Sequence, residues 1–414
     1  MTDILFLSQY YPPEINALTV RASELVEVWA KEGCDVRVLT GFPNHPDGNI
    51  HPEYKDKIRQ LVYHEDRESH RVIRTWLTAL SNDRVGNRFL NYLSFMFSAV
   101  LTGLIIRKPE VLVASSPPLT AGLAGWAVSK FKGVPFVLEI RDLWPESIAG
   151  TGIMRKGSFF FRMLDKLAEF LYQQADHLVV LTPAFKKHIL AKTVVESSKL
   201  SVIMNGFNQE RFSNAANLPE EFADLFQDRF VVSYIGNFGW AQHLMTVIRA
   251  AEEIEGDLPD VVFLLIGDGA ERRKLTRYIQ DHQLDHVKVF PAQPEFMVPS
   301  LIRSSDISLV PLRDEPVFRT VIPSKMFEIM AAGTAMILSG GGQAEAFLEE
   351  ADCGITVSPE EPEKLAEAVI YLYQHPAQRK AMGDNGKQYA YQNLSREKTG
   401  MEYLDTIREV IMRR

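Results

Sequence analysis

Short apolar runs alternate with longer stretches of helical periodicity along the whole chain, the pattern of βα units that feed parallel sheets. They fall into two series. The first predicts strands at 4–7, 36–39, 111–114, 136–140, 177–181 and 200–204, with helices in the gaps. The second restarts with strands at 230–235, 261–266, 287–290, 307–310, 335–338 and 355–357. Between them a polar stretch, 205–228, lacks clear periodicity. The pattern divides the chain into a first α/β domain over 1–205, a connection over 206–228 and a second α/β domain over 229–394. A last helix is predicted over 395–414; its basic end suits the helix dipole, and its sequence permits packing back on the first domain.

One helical stretch departs from the alternation. Residues 89–106 carry no charge, close to the length that spans a bilayer, and Arg107 and Lys108 follow. Asn91, Ser94, Ser98, Thr102 and Gly103 interrupt it, and the βα units around it belong together, so a buried or membrane-facing helix fits better than a spanning one. Arg59, Arg67, Arg71, Arg74, Arg84 and Arg88 precede the run, which suits a membrane surface and equally a solvated face.

At 414 residues, 46% hydrophobic and 24% charged, the chain has material for two globular cores and excludes wholesale disorder. The net charge of −8 is unevenly divided: residues 1–205 hold 24 Lys/Arg against 21 Asp/Glu, a surplus of +3, so the remainder carries −11. The first domain is therefore the one suited to an anionic partner. Cys34 and Cys353, far apart in sequence, argue against a disulfide framework and for a reducing, cytoplasmic setting. Met1, Thr2 and Asp3 lead straight into the first strand, so no export signal is expected.

Candidate chemistry concentrates in the second series. Pro323 fixes the entry to a helix that Ser324 is placed to cap, and the open amides of its first turn, with Lys325 beside them, outline a phosphate site. Glu328, one turn on, is placed to accept hydrogen bonds from vicinal hydroxyls such as a ribose offers. A purely structural helix start fits the same residues. Gly236, Asn237 and Gly239 follow the first strand of this series, and Gly267, Asp268 and Gly269 the second, at sheet edges where backbone can approach a pyrophosphate. Gly340, Gly341 and Gly342 follow the fifth. Each cluster is also readable as turn chemistry.

Taken in order, Gly236, Asn237, Phe238, Gly239, then Ile266, Gly267, Asp268, Gly269, then Pro323 through Glu328 and Gly354 resemble the donor domain of family 4 glycosyltransferases. Tyr10, Tyr11, Pro12 and Pro13, the run Ser115 to Pro118, and the run Arg141 to Glu146 are similar to the WbuB-like branch, which builds bacterial surface polysaccharides. With Asn205, Gly206, Asp384, Asn385 and Gly386, the resemblance covers essentially the whole chain. It implies a GT-B fold: two Rossmann-like, doubly wound parallel-sheet domains facing a central cleft. It also implies a retaining transfer from a nucleoside diphosphate sugar, UDP favoured and an N-acetylamino sugar among the candidates.

The resemblance further assigns residues. Gly236, Asn237, Gly267, Asp268, Gly269, Arg319, Ser324, Lys325 and Glu328 are expected to bind the donor, Glu328 matching the second carboxylate of the family's motif. Thr320 replaces the first carboxylate, and the family's Arg and Lys after the first strand are absent, so Arg319 and Lys325 are expected to neutralise the diphosphate. The usual glycine pair of the first loop is replaced near Asn16 and Ala17. Asp142, with Glu146 second, is expected at the reacting centre as general base or positioning group. Asn16, Arg21 and Arg141 are expected to contact acceptor or sugar. No Asp-x-Asp occurs, so no metal or other cofactor is expected, and cations and helix termini are left to stabilise the leaving diphosphate.

The expected acceptor is saccharide or lipid-linked, in O-antigen, capsule or exopolysaccharide assembly at the inner face of the cell membrane. Nucleic acid is not an expected partner. Two other classes compete: a nucleotide-sugar epimerase of the same fold, and a non-catalytic scaffold, for which Thr320 is the best support. A dehydrogenase lacks its complete glycine fingerprint.

Overall fold

The computed structural model describes residues 1–14, 16–81, 84–215, 218 and 220–413. Arg414 of the predicted last helix, and 216, 217 and 219 of the expected connection, lie outside the described residues. The chain divides into two compact units, Met1–Met204 with Arg396–Arg414, and Asn205–Ser395.

The first unit opens β1 (Asp3–Leu7), α1 (Ala17–Lys31), β2 (Asp35–Gly41), β3 (Val62–Asp66) and β4 (Arg71–Thr75). It continues α2 (Val85–Ile105), β5 (Val111–Ser116), α3 (Leu119–Lys132), β6 (Phe136–Ile140), α4 (Glu146–Gly150), α5 (Phe159–Gln174), β7 (His177–Val180), α6 (Pro183–Lys192) and β8 (Leu200–Val202). The sheet runs β3-β4-β2-β1-β5-β6-β7-β8, parallel except for β3. β5 and β6 are buried at every position, which is why they read as unbroken apolar runs. The β3–β4 hairpin corrects the expectation of helix in that gap. Each of its strands carries two charged residues in five, β3 is the edge strand, and Arg74 in β4 reaches Glu65 in β3 at 2.9 Å.

The second unit contains α7 (Gln209–Ser213), α8 (Glu220–Phe226), β9 (Phe230–Ile235), α9 (Met245–Ile254), β10 (Val261–Ile266), α10 (Arg272–Asp281), β11 (Val287–Phe290) and α11 (Val298–Ser304). Then come β12 (Ile307–Pro311), α12 (Ser324–Ala332), β13 (Ala335–Ser339), α13 (Gln343–Ala351), β14 (Gly354–Val357), α14 (Pro362–Gln374) and α15 (Pro376–Asn393). Its all-parallel sheet runs β11-β10-β9-β12-β13-β14, so the winding reverses between β9 and β12. The stretch expected as a connection is folded into this unit: Phe212 and Phe222 are buried, Phe222 packing with Val231 and Leu264.

The final helix, α16 (Arg396–Met412), belongs to the first unit. The Trp29 indole of α1 donates to the Gly400 carbonyl at 3.0 Å and meets Tyr403 edge-on, and Arg396 pairs with buried Glu24 at 2.7 Å. The apolar run lies in α2, which packs on α3 through Gly103 against Val128 and joins β4 through Thr102 and Thr75 at 2.8 Å. Its other face is open, with Phe97 64% and Ile105 79% exposed. Of the arginines ahead of this run, Arg67 and Arg74 both turn to Glu65 and the Pro12 carbonyl, and Arg71 turns to Asp35.

Candidate active site

In the second unit, the winding reversal puts the ends of β9 and β12 side by side, where an open α/β sheet presents its ligand crevice. Lys325, in the first turn of α12, reaches under the turn after β9: a Cβ on Gly236 would lie 2.9 Å from its Nζ. That Nζ sits 3.7 Å from the centre of the Tyr234 ring, which is held by a 2.6 Å bond from its hydroxyl to the Asn237 carbonyl. The ammonium is buried and has no hydrogen-bond partner among the described residues. Burial lowers its pKa to about 7, opposed by the Glu328 charge. A buried cation without a hydrogen-bonded anion is costly unless an anion completes it.

The helix itself adds donors. α12 starts after Pro323 with no side-chain cap, the Met326 amide donating to the Pro323 carbonyl at 3.0 Å and the Ser324 and Lys325 amides preceding it, and Ser324 occupies the first helical position rather than the capping one expected of it. Glu328 accepts from Arg211 of α7 at 3.3 Å, and Arg211 also reaches Glu295 at 3.2 Å. Arg211 was not legible as a site residue, because it lies 117 positions from Glu328. Gly267 and Gly269 have a packing duty: a Cβ on Gly267 would strike the Gly236 carbonyl, and one on Gly269 would lie 2.6 Å from that of Phe238. The two glycine turns are thereby pressed together at the sheet edge. Asn237 is exposed, and the Asp268 carboxylate accepts from the Gly269 amide and pairs with Arg272.

Arg319 is not brought to Lys325. Its guanidinium pairs with Asp314 at 2.7 Å and lines a separate cavity near Gly342. Thr320 donates its hydroxyl to the Val317 carbonyl at 2.6 Å.

In the first unit, the loops after β1, β5 and β6 meet at one edge of the sheet. Asp142 follows β6 directly, half-buried, and burial raises its carboxyl to about 6 against hydrogen bonds from Ser147 and Leu143. Glu146 is committed elsewhere: it accepts from Lys192 at 2.7 Å and lies 3.3 Å from His188. Burial pushes its carboxyl up, but His188 and Lys192 outweigh it and bring it down to about 2, so Glu146 is held as an ion-paired carboxylate.

The three expected contact residues each have partners within the first unit. Arg21 is 1% exposed and pairs with Glu139 of β6 at 2.8 Å, also donating to the carbonyls of Met204 and Ile203. Its buried guanidinium joins α1 to β6 and to the chain just after β8. Arg141 donates to the Leu18 carbonyl at 2.6 Å, and burial lowers its guanidinium to about 9. Asn16 caps α1, its side-chain oxygen accepting from the Thr19 amide at 2.9 Å. Glu139 escaped sequence reading because it sits inside an apolar strand; its other oxygen accepts from Ser115 at 2.7 Å. Breaking a buried pair leaves an uncompensated charge, so Arg21→Ala should lose about 3–5 kcal/mol in urea unfolding, and a loss under 1 kcal/mol would contradict the pairing.

Glu14 escaped it too. Its buried carboxylate accepts from the amides of Asn44, His45 and Tyr11, and burial raises it to about 7.

With this geometry in place, comparison with known proteins is decisive for the family. Residues 219–389 match the model for glycosyl transferases group 1, and residues 16–206 match the glycosyl transferase 4-like domain. The chain belongs to the group 1, family 4 glycosyltransferases. It is therefore a nucleotide-sugar-dependent glycosyltransferase, and the epimerase and scaffold readings are set aside. WcaI of Escherichia coli (strain K12), assigned provisionally to colanic acid biosynthesis, is 24% identical over 98% of this chain and 99% of its own. The probable glycosyltransferase WbjE of Pseudomonas aeruginosa is 26% identical over 67% of this chain and 69% of its own. Among solved structures, sucrose-phosphate synthase from Thermosynechococcus elongatus superposes with a TM-score of 0.77 at 19% identity over 100% of both chains. Anabaena HepE in complex with UDP-glucose superposes with a TM-score of 0.71 at 17% identity, covering 98% of this chain and 99% of its own. These likenesses give the GT-B fold.

Proposed function

We propose that this enzyme is a retaining, metal-independent transferase that moves a sugar from a UDP-sugar to a saccharide or lipid-linked acceptor in surface-polysaccharide assembly. The observation that carries the donor half is the buried Lys325 ammonium beside the open first turn of α12: a cation and amide donors converge where a diphosphate would gather negative charge. Glu328 would accept from the ribose, exchanging its bond from Arg211. UDP is favoured because structural relatives hold UDP or UDP-glucose, and the polysaccharide role because WcaI is tied to colanic acid. Calorimetry with a panel of nucleoside diphosphates, with and without magnesium, tests this. UDP should bind equally with or without the metal, and Glu328→Ala should weaken it on the order of 10-fold; absence of any nucleotide binding overturns the reading.

The enzyme is proposed to work in the cytoplasm at the inner membrane face. The support is the open side of α2, where Leu90, Phe97, Leu101 and Ile105 are exposed, with Phe131 of α3 and Phe159 and Phe160 of α5 also exposed. Arg155, Lys156 and Arg162 accompany the α5 residues at the surface. Wild type should sediment with vesicles containing phosphatidylglycerol, and the variant Phe97→Ser with Leu101→Ser should not. Equal sedimentation of both proteins would dismiss this face.

A further inference from the structure

The short helix α7 brings one cation to the carboxylate of the donor helix. Asn208 caps α7, its side-chain oxygen accepting from the Arg211 amide at 3.0 Å. Phe212, next in the chain, is buried edge-on against Phe207 at 5.7 Å, and its carbonyl accepts from Arg303 of α11 at 2.6 Å. Arg211 is thus rooted on both sides. Its guanidinium, 18% exposed, spans two carboxylates with separate nitrogens: Nη2 donates to Oε1 of Glu328 on α12 at 3.3 Å, and Nη1 to Oε2 of Glu295, just ahead of α11, at 3.2 Å. The planar fork of an arginine suits such a bridge.

Glu328 has another cation within reach of its charge, Lys325, one turn earlier on the same helix. A carboxylate that turned to that ammonium would spend the charge a diphosphate needs. Glu328 goes to Arg211 instead, and Lys325 has no hydrogen-bond partner among the described residues. The Arg211 contact is also one that yields. At 3.3 Å it is longer than the roughly 2.7–2.9 Å of a tight charge-assisted bond. When hydroxyls replace it, the guanidinium keeps Glu295, so no cation is stranded.

We propose that Arg211 is a positioning residue for nucleotide recognition: it holds the Glu328 carboxylate ready for the vicinal hydroxyls of a ribose, and so makes the enzyme selective for a ribonucleoside diphosphate over one lacking those hydroxyls. The inference rests on the donor reading above, in which Glu328 meets the ribose, and adds the residue that prepares it.

Calorimetry tests this with UDP and 2′,3′-dideoxyuridine diphosphate, which keeps the base and the diphosphate. The proteins are wild type, Arg211→Ala, Arg211→Lys, Glu328→Ala and the variant carrying both alanines. Wild type should bind UDP at least ~10-fold tighter than the dideoxy compound. Arg211→Ala should lose ~5-fold for UDP while holding the dideoxy compound within ~2-fold. Arg211→Lys keeps the charge and guards against misfolding; it should lose no more than ~2-fold for UDP. The two alanines together should weaken UDP no more than ~2-fold beyond Glu328→Ala alone, because both act through one contact. If both nucleotides weaken together in Arg211→Ala, the residue only supports the fold there and the proposal falls. It falls equally if the two alanine losses multiply, Arg211 then acting apart from Glu328, or if Arg211→Ala tightens UDP, Arg211 then merely competing with the ribose. Equal binding of the two nucleotides by wild type is a different result, removing Glu328 from the ribose and the proposal with it.

Discussion

Lys325→Met is expected to lower UDP affinity on the order of 100-fold or more, since it removes a buried cation placed to meet a diphosphate. The same substitution should stabilise the free protein. The Lys325 pKa is depressed by burial to about 7, so the cost of holding the ammonium grows as pH falls through 7 and vanishes above its ordinary range. The variant should therefore melt higher than wild type at pH 7 and below, by on the order of 2 kcal/mol, with the gap closing in strongly alkaline buffer. Wild-type UDP affinity should weaken as pH rises through about 7, approaching tenfold per pH unit, with proton uptake visible in buffers of different ionisation enthalpy. Unchanged affinity in the variant, with no proton uptake in wild type, would show that the ammonium does not serve the nucleotide.

Asp142→Asn should reduce kcat by ~100- to 10,000-fold, the range for removing a general base or a polar group at the reacting centre. UDP affinity should hold, because Asp142 lies in the first unit and Lys325 in the second. The wild-type rate should rise through about pH 6 as the carboxylate forms. The sign for stability is opposite to that of an ordinary paired carboxylate. With the folded pKa raised by burial, the stabilisation from the protonated group is full below the usual aspartate range and lost as pH rises through 6. The asparagine variant should thus melt higher than wild type at pH 8 and match it near pH 3. Retention of full kcat by Asp142→Asn would place the reacting centre elsewhere.

The strands were legible because burial on both faces leaves an unbroken apolar run, as in β1, β5, β10 and β12, and a parallel sheet needs nothing more than such runs separated by helices. The β3–β4 hairpin was not, since two charged residues in each five-residue strand break up the apolar run. Lys325 and Glu328 could be linked by spacing alone, because one helical turn fixes their separation. Arg21 and Arg319 could not be placed that way. Each looked like a free cation, and each is held by a carboxylate, Glu139 lying 118 positions from Arg21 and Asp314 five from Arg319.

The sequence by itself determined the two series of βα units, and through its motifs the family and the helix that begins at Ser324, since these depend on local periodicity and on glycine, proline and charge at short spacings. Tertiary structure alone decided that α16 joins the first unit and that the expected connection belongs to the second. It also decided which cations are spent in ion pairs and which, like Lys325, remain without a hydrogen-bonded anion. The physical reason is that the state of a charged side chain is set by burial and by which partner the fold brings to it, whether 118 positions away, as Glu139 is from Arg21, or five, as Asp314 is from Arg319.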